Sequence, residues 1–357
     1  MQSAGMSARG VGESRRELTD FRTSVRYEPR FKYGSASMRR FFLSFLMLAC
    51  VTAAARAQDY PNKPVRVVVP LSPGGTTDAV LRMLVPKLSE ALGQAVVIEN
   101  RPGAGGNIGA DAVAKSPPDG YTLLIGTSTS HGVNVTLHPK MPYDAVRDFA
   151  PITLIGHVPF VLMAYTGLGV RTMPELVQLA RSKPGQINYA SSGNGTSSHL
   201  AMEMLKTQAG IDLVHVPYKG TAQANQDVMG GHVAFQFDAV TAALPMLRSG
   251  KVVGLGVTSA KRVGAVPDLP PIADSGFPGF QYTAWVGLLA PAGTPKAVVS
   301  RLNTEMVKIL NLTEIRDKLS QVGFEAASST PEEFASFIRT EIVKLGKVVK
   351  SSGAKLD

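Results

Sequence analysis

The chain has 357 residues, a hydrophobic content of 44% and a formal net charge of +10. Residues 1–57 hold 10 of the 37 lysines and arginines and 4 of the 27 acidic residues, which leaves 27 against 23 and a net charge of +4 for the remainder. The basic character therefore gives little support to nucleic-acid binding, and we expect no nucleic-acid partner. About 300 residues follow this region, which is enough for two domains.

A secretory signal is predicted over residues 39–57. The basic pair Arg39-Arg40 is followed by an apolar stretch over residues 41–51 and then by Ala55-Arg56-Ala57, which matches the small-residue pattern of a signal-peptidase site. The apolar stretch is too short to span a bilayer comfortably. The sequence therefore predicts an exported, periplasmic protein whose mature chain begins at Gln58.

The start of the chain and its single cysteine bear on this prediction. Met38 directly precedes the basic pair, so we expect it to be the true start, with residues 1–37 as an upstream extension. Cys50 lies inside the signal, which excludes disulfides and cysteine chemistry from the mature chain. Anchoring through a lipidated Cys50 is the less favoured alternative, because a good cleavage site follows it.

The first part of the mature chain alternates strand-like and helix-like segments, as βαβ units do. We predict strands over residues 65–69, 95–99 and 121–126, and helices over residues 77–92 and 107–115. Gly93 ends the first helix. Pro86 lies within it and is expected to kink or break it.

A second alternating region begins near Val158. After an extended segment, Thr172 and Glu175 form a capping box that begins a helix. Further strands are predicted over residues 187–191, 213–217, 233–238 and 252–258, and helices over residues 196–209, 222–229 and 241–248. An extended segment over residues 282–290 then leads back to the first region, and capped helices begin at Thr294 and Thr330.

This order predicts two lobes joined by two crossings of the chain, which together form a hinge. Lobe 1 comprises residues 58–157 and 283–357, and lobe 2 comprises residues 158–282. Residues 1–57 are the extension and the cleaved signal.

Two glycine-rich turns each lie between a predicted strand and a predicted helix, one over residues 72–78 and one over residues 191–198. A helix that begins after such a turn presents free N–H groups and the positive end of its dipole, and glycine lets an anion approach closely. The turns belong to different lobes, so the sequence predicts a carboxylate site in the cleft between them. The simpler alternative is a pair of tight turns, the first closed by a cap from Thr76 or Thr77.

The predicted ligand-binding residues lie in these turns or at strand ends, where open α/β sheets bind ligands. They are Ser72, Gly75, Thr76, Thr77, Asp78, Ser128, Gly195, Thr196, Ser197, Tyr218 and Asp238. Asp78 is expected to orient loop N–H groups, because a free carboxylate would repel an anionic ligand. His199 is expected to be packed or hydrogen-bonded, and Lys219 is as readily a surface lysine as a partner for a second ligand carboxylate.

Other chemistries have little support. The glycines over residues 103–109 follow a strand, but a GxGxxG fingerprint would need glycine where Ile108 stands. The sequence has no GxSxG, HExxH or P-loop motif. We therefore expect no cofactor, no metal and no enzymatic activity, with a Ser-His-Asp site assembled from distant residues left open.

Three long segments resemble a known family. They cover residues 67–110, 188–205 and 216–238, and their order, spacing and sequences are similar to those of Bug-type extracytoplasmic solute receptors of tripartite tricarboxylate transporters. The resemblance runs from Tyr60 to the C-terminus, although Leu71 stands where many relatives carry an aromatic residue. It implies an α/β, type II periplasmic-binding-protein fold: two lobes with mostly parallel sheets that close on a small organic acid without catalysis.

The resulting hypothesis is a monomeric solute-binding protein that captures a small organic acid for the membrane permease subunits of a tripartite transporter. An exported α/β enzyme acting on a small carboxylate is one alternative. A periplasmic sensor that presents its liganded form to a signalling partner is another.

Overall fold

The computed structural model describes residues 60–354. The predicted signal, its cleavage site after Ala57 and Cys50 lie outside the described residues. Within residues 60–354, no helix combines the length and apolar character needed to cross a membrane.

The N-terminal sheet begins with three parallel strands in the order β2-β1-β3. These strands are β1 (Val65–Val69), β2 (Val96–Asn100) and β3 (Thr122–Thr127). The helices that accompany them are α1 (Thr76–Leu92), α2 (Asn107–Ala114) and the single turn α3 (Asn134–Leu137).

The second sheet repeats this scheme, with β6, β5 and β7 side by side and parallel. Its strands are β5 (Asn188–Ser191), β6 (Val214–Pro217), β7 (Phe235–Ala239) and β8 (Val252–Val257). Its helices are α4 (Met173–Ser182), α5 (Ser197–Ala209), α6 (Thr221–Met229) and α7 (Val240–Arg248).

The long strand β4 (Phe149–Tyr165) belongs to both sheets. Its first part pairs antiparallel with β9 (Thr283–Pro291), and its second part pairs antiparallel with β7 and β8. The sheets are therefore mixed rather than mostly parallel, because the strands that carry the chain between the lobes run against their neighbours. The two-lobed α/β fold agrees with the prediction, and the exact lobe boundaries stay a prediction.

The chain finishes on the first lobe with helices that cover its sheet. These elements are α8 (Lys296–Leu310), α9 (Thr313–Gln321), the short strand β10 (Glu325–Ala326) and α10 (Pro331–Ser352). The capping box predicted at Thr172 is present at the start of α4, and the capped start predicted at Thr330 is present at α10. The cap predicted at Thr294 is wrong, because Pro295 occupies the N-cap position of α8 and makes no side-chain cap. Helix α9 was not predicted.

Helix α1 illustrates how packing overrides a local signal. Its predicted apolar face is buried, and Gly93 ends it in the left-handed conformation. The helix nevertheless continues through Pro86. Leu84 and Leu88 on either side of the proline are fully buried, and the burial of two leucines, worth about 1.5–3 kcal/mol each, offsets the missing N–H hydrogen bond.

Candidate ligand-binding cleft

A cleft of about 680 Å³ lies where the first turns of α1, α5, α6 and α7 meet the ends of β3 and β7 and the start of β9. Its wall combines the two glycine-rich turns with apolar side chains that include Met83, Phe160 and Leu244. Two other hollows, each of about 730 Å³, are surface grooves along α10 and beside α4. Only the cleft brings the predicted turns together.

The helices that begin at the cleft have no side-chain caps. The N-cap residues of α1, α5, α6 and α7 are Gly75, Thr196, Gly220 and Ala239, and none of them caps its helix with a side-chain hydrogen bond. The predicted cap from Thr76 or Thr77 is therefore wrong, because Gly75 occupies the capping position. The first-turn N–H groups of these helices are left available to an anion.

A direct hydrogen bond joins the two lobes across the cleft. The Oγ1 atoms of Thr76 on α1 and Thr241 on α7 lie 2.5 Å apart. Both threonines line the cleft and are half-buried. Thr76 therefore has a protein partner as well as a position from which it can reach a ligand.

Asp78 is neutralised within its own lobe, as predicted for an orienting residue. Its Oδ2 accepts from the Gly74 N–H at 3.0 Å and from Arg82 Nε at 2.8 Å, and its Oδ1 accepts from Asn100 Nδ2 at 3.0 Å. The hydrogen bond from the Arg82 guanidinium is the main cause that lowers the pKa of Asp78 to about 2. Asp78 thus holds the first glycine turn in place as a carboxylate.

Asp238, at the end of β7, has a different environment. Its carboxyl group accepts from Asn225 Nδ2 at 3.0 Å and from the Ala239 N–H at 2.8 Å. Both donors are neutral, and burial raises the pKa of Asp238 to about 7 despite these two hydrogen bonds. The cleft therefore contains one paired carboxylate and one carboxyl group without a cationic partner.

The second glycine turn is held by hydroxyl and imidazole groups. Thr196 Oγ1 donates to the Gly193 carbonyl at 2.7 Å, and the Gly195 N–H donates to His199 Nδ1 at 3.1 Å. The His199 ring stacks on His215, with ring centroids 3.9 Å apart. Burial lowers the pKa of His199, so this histidine is a packed, neutral acceptor, as its sequence position suggested.

Two predicted ligand residues lie outside the cleft wall. The Tyr218 hydroxyl donates to Asp227 Oδ2 at 2.6 Å, and neither residue lines the cleft. Gly195 has a φ of +70°, and a Cβ built on it would lie 2.2 Å from Leu137 Cδ2. Backbone conformation and close packing on α3 therefore both require glycine at this position. The remaining predicted residues all line the cleft.

Several lining residues were missed from the sequence. Three of the polar ones, Thr221, Asn225 and Thr241, lie in the first turns of α6 and α7 or one turn further along, and the other four, beside predicted residues, are Thr127, Thr129, Ser192 and Ser198. The residues at the starts of α6 and α7 could have been predicted from the sequence, because each helix follows a strand end at which a ligand-binding residue was already predicted. The apolar wall, including Met83, Phe160 and Val322, carried no comparable signal.

The lining determines which chemistry the cleft can perform. Among the described residues that line it, none is lysine, arginine or histidine. Residues 60–354 also contain no group of three or more histidine, aspartate, glutamate or cysteine side chains that could hold a metal. The donors among the lining residues are backbone N–H groups, hydroxyls, the Asn225 amide and the Trp285 indole N–H, and such neutral groups can bind an anion by hydrogen bonds.

The family model of tripartite tricarboxylate transporter family receptors matches residues 80–354. Among curated relatives, protein BugT of Bordetella pertussis is 35% identical over 313 residues, which cover 87% of this chain and 96% of the relative.

Two solved structures share both sequence and fold with this chain. Rpa4515 of R. palustris, solved with adipate, is 38% identical with a TM-score of 0.78, and the match covers 84% of this chain and 100% of that one. MatC from Rhodopseudomonas palustris, solved with bound malate, is 35% identical with a TM-score of 0.71, and the match covers 81% and 100%. Proteins of this kind are solute receptors and not enzymes. The chain therefore belongs to the family of tripartite tricarboxylate transporter receptors, as its three long segments indicated.

Proposed function

We propose that this protein is a periplasmic receptor that captures a small organic acid in the cleft and delivers it to the membrane permease subunits of a tripartite tricarboxylate transporter. The observation that carries the proposal is the meeting of two uncapped helix starts, those of α1 and α5, at a cleft lined by hydroxyls. A carboxylate placed there accepts hydrogen bonds from both helices and neutralises the positive ends of their dipoles.

The proposed contacts come from both lobes. They are Ser72, Gly75, Thr76, Thr77, Ser128, Thr196 and Ser197, together with Asp238, while Asp78 acts by orienting the first turn. Lobe 1 is proposed to comprise residues 58–157 and 283–357, and lobe 2 residues 158–282. Because the contacts are shared, the full set of hydrogen bonds forms only when the lobes are closed, and ligand binding favours closure.

The ligand is proposed to be an acid of the size of malate or adipate. Relatives at 35% and 38% identity were solved with these two acids. A cleft of about 680 Å³ has room for molecules of this size. Its apolar wall suits the methylene groups between two carboxyl groups.

Two experiments test the proposal. Mass spectrometry of small molecules that co-purify with the exported protein, followed by calorimetry with succinate, malate, adipate and monocarboxylic acids, should identify at least one acid bound at a single site. Deletion of the gene should abolish uptake of that acid by the producing strain. If none of these acids binds, or uptake is unchanged, the proposed function is wrong.

A further inference from the structure

Asp238 is a buried carboxyl group on the wall of a cleft that is built to receive a carboxylate. Its residue is 6% exposed, and it lies among the residues that line the cleft. Both of its hydrogen-bond donors, Asn225 Nδ2 and the Ala239 N–H, are neutral. An ionised Asp238 beside an anionic ligand would place two like charges in a partly dry site, which is unfavourable.

Among the described residues, no cation of a neighbouring element makes a hydrogen bond with Asp238. On α5, which packs against β7, Lys206 is paired with Glu203 and His199 accepts from the Gly195 N–H. On α6, Asp227 is engaged with the Tyr218 hydroxyl. On β4, the residue paired with Asp238 is Val161, and the first turn of α7 has no ionisable side chain. On the other lobe, Asp78 also lines the cleft, and its charge is neutralised by an ion pair with Arg82. Lys219 is exposed and lies outside the lining.

A pair of amides allows Asp238 to exist in either protonation state. Gln236 Nε2 donates to Asn225 Oδ1 at 2.7 Å, and Asn225 Nδ2 donates to Asp238. Gln236 is fully buried, and its Oε1 has no hydrogen-bond partner. If both amides rotate, Asn225 presents its oxygen to a protonated Asp238 and its nitrogen to Gln236 Oε1, so a donor meets an acceptor at each contact in either state.

We propose that this receptor takes up one proton together with a dicarboxylate ligand and that Asp238 holds this proton, sharing it with a carboxyl group of the ligand. The inference rests on the proposed function and adds the coupling of ligand binding to a proton. Two carboxyl groups in contact are stable when one proton lies between them, as in carboxyl pairs of other proteins. The proton comes from solvent, and the ligand enters as its dianion.

The coupling has a definite sign. Burial raises the pKa of free Asp238 to about 7, and an anion beside it raises the pKa further in the complex. Binding is then strongest below pH 7 and weakens above it, by about tenfold per pH unit until the pKa of the complex is reached. The ligand's own carboxyl groups ionise near pH 4 to 5, so they do not contribute to this window. A ligand that donated a hydrogen bond to ionised Asp238 would give the opposite slope.

The test is calorimetry of the exported protein with succinate, malate and adipate between pH 6 and 8.5, in buffers of low and high ionisation enthalpy. We expect the affinity of each acid that binds to fall with rising pH, with uptake approaching one proton per site. Asp238→Asn should bind with an affinity that varies less than about twofold over this range. Asp268→Asn, which removes an exposed carboxylate that does not line the cleft, should keep the wild-type slope.

Several results would overturn the inference while leaving the receptor function intact. These are a wild-type affinity independent of pH, an affinity that rises with pH, the wild-type slope in Asp238→Asn, or binding confined to acids with a single carboxyl group. The wild-type titration alone decides the matter if Asp238→Asn does not fold. Failure of every organic acid to bind would instead refute the proposed function.

Discussion

The hydrogen bond between Thr76 and Thr241 joins the two lobes directly, and its removal should weaken ligand binding. The two Oγ1 atoms lie 2.5 Å apart and belong to helices that begin on opposite sides of the cleft. Because a hydrogen bond needs its two oxygen atoms in contact, moving the lobes apart would break it. Thr241→Val removes it with almost no change of volume, so the closed state loses stability relative to the open state.

The size of the effect follows from the burial of the two side chains. A neutral hydrogen bond contributes about 0.5–1.5 kcal/mol. Both threonines are half-buried, so the hydroxyl left behind can bond to water, and the loss should lie in the lower part of that range. A cost of about 0.5–1 kcal/mol corresponds to a roughly two- to fivefold weaker affinity.

The assay is calorimetry of a double-mutant cycle with whichever of succinate, malate or adipate binds most tightly. Thr76→Val should cost at least as much as Thr241→Val, because Thr76 also reaches the ligand site, and the double variant should cost less than the sum. Small-angle scattering should show that ligand-free Thr241→Val is more open than the wild type. Thr340→Val, on the exposed face of α10, is the matched control. Additive effects within about 0.3 kcal/mol would refute the cross-cleft bond.

Three further predictions follow. Gly75→Val should fold normally, because the φ of Gly75 is −77° and an added Cβ would meet only the Ser72 carbonyl oxygen at 3.7 Å, but its side chain should block the approach of the ligand to the backbone and abolish binding. Gly195→Val should instead lower Tm, because Gly195 has a positive φ and an added Cβ would clash with Leu137. Equal Tm values for the two variants would contradict this prediction. In the wild type, the lowered pKa of Asp78 makes its carboxylate stabilising above pH 3.8, and this stabilisation is lost as the pH falls toward about 2. Asp78→Asn should therefore lose less stability than the wild type over this pH range. Identical acid-unfolding profiles of the two proteins would be evidence against this prediction. Affinity should change little with ionic strength or chelator, because neutral donors in the cleft hold the anion; calorimetry that shows loss of binding with chelator would exclude the metal-free site.

The fold was predictable wherever local pattern and tertiary packing agree. The β-branched run of β1 and the apolar face of α1 are examples, since both patterns are strong and both surfaces are buried. Of strand β4, only the part that follows Val158 was predicted as an extended segment, because Pro151 and Gly156 interrupt the earlier pattern where the register with β9 shifts. Helix α9 buries only Ile315 and Leu319, too few residues to give a helical period.

The candidate site was predictable in part for a related reason. The glycine turns are local features, so their position at helix starts could be derived from spacing. The direction of a side chain is not local: Tyr218 follows a strand end as predicted, yet its hydroxyl turns to Asp227. The bond between Thr76 and Thr241 joins residues 165 positions apart, and no pattern within either segment indicates it.

The described residues that line the cleft include no lysine or arginine, which suits a receptor that must also release its ligand. A cation on one lobe would attract the anion even when the lobes are apart, since Coulomb attraction persists over several ångströms. Hydrogen bonds from helix starts act only over contact distance. When the lobes separate, the ligand loses the donors of one lobe together with the apolar contacts of the opposite wall. Affinity is thereby tied to closure, and a partner that opens the cleft can release the acid without competing against a fixed positive charge.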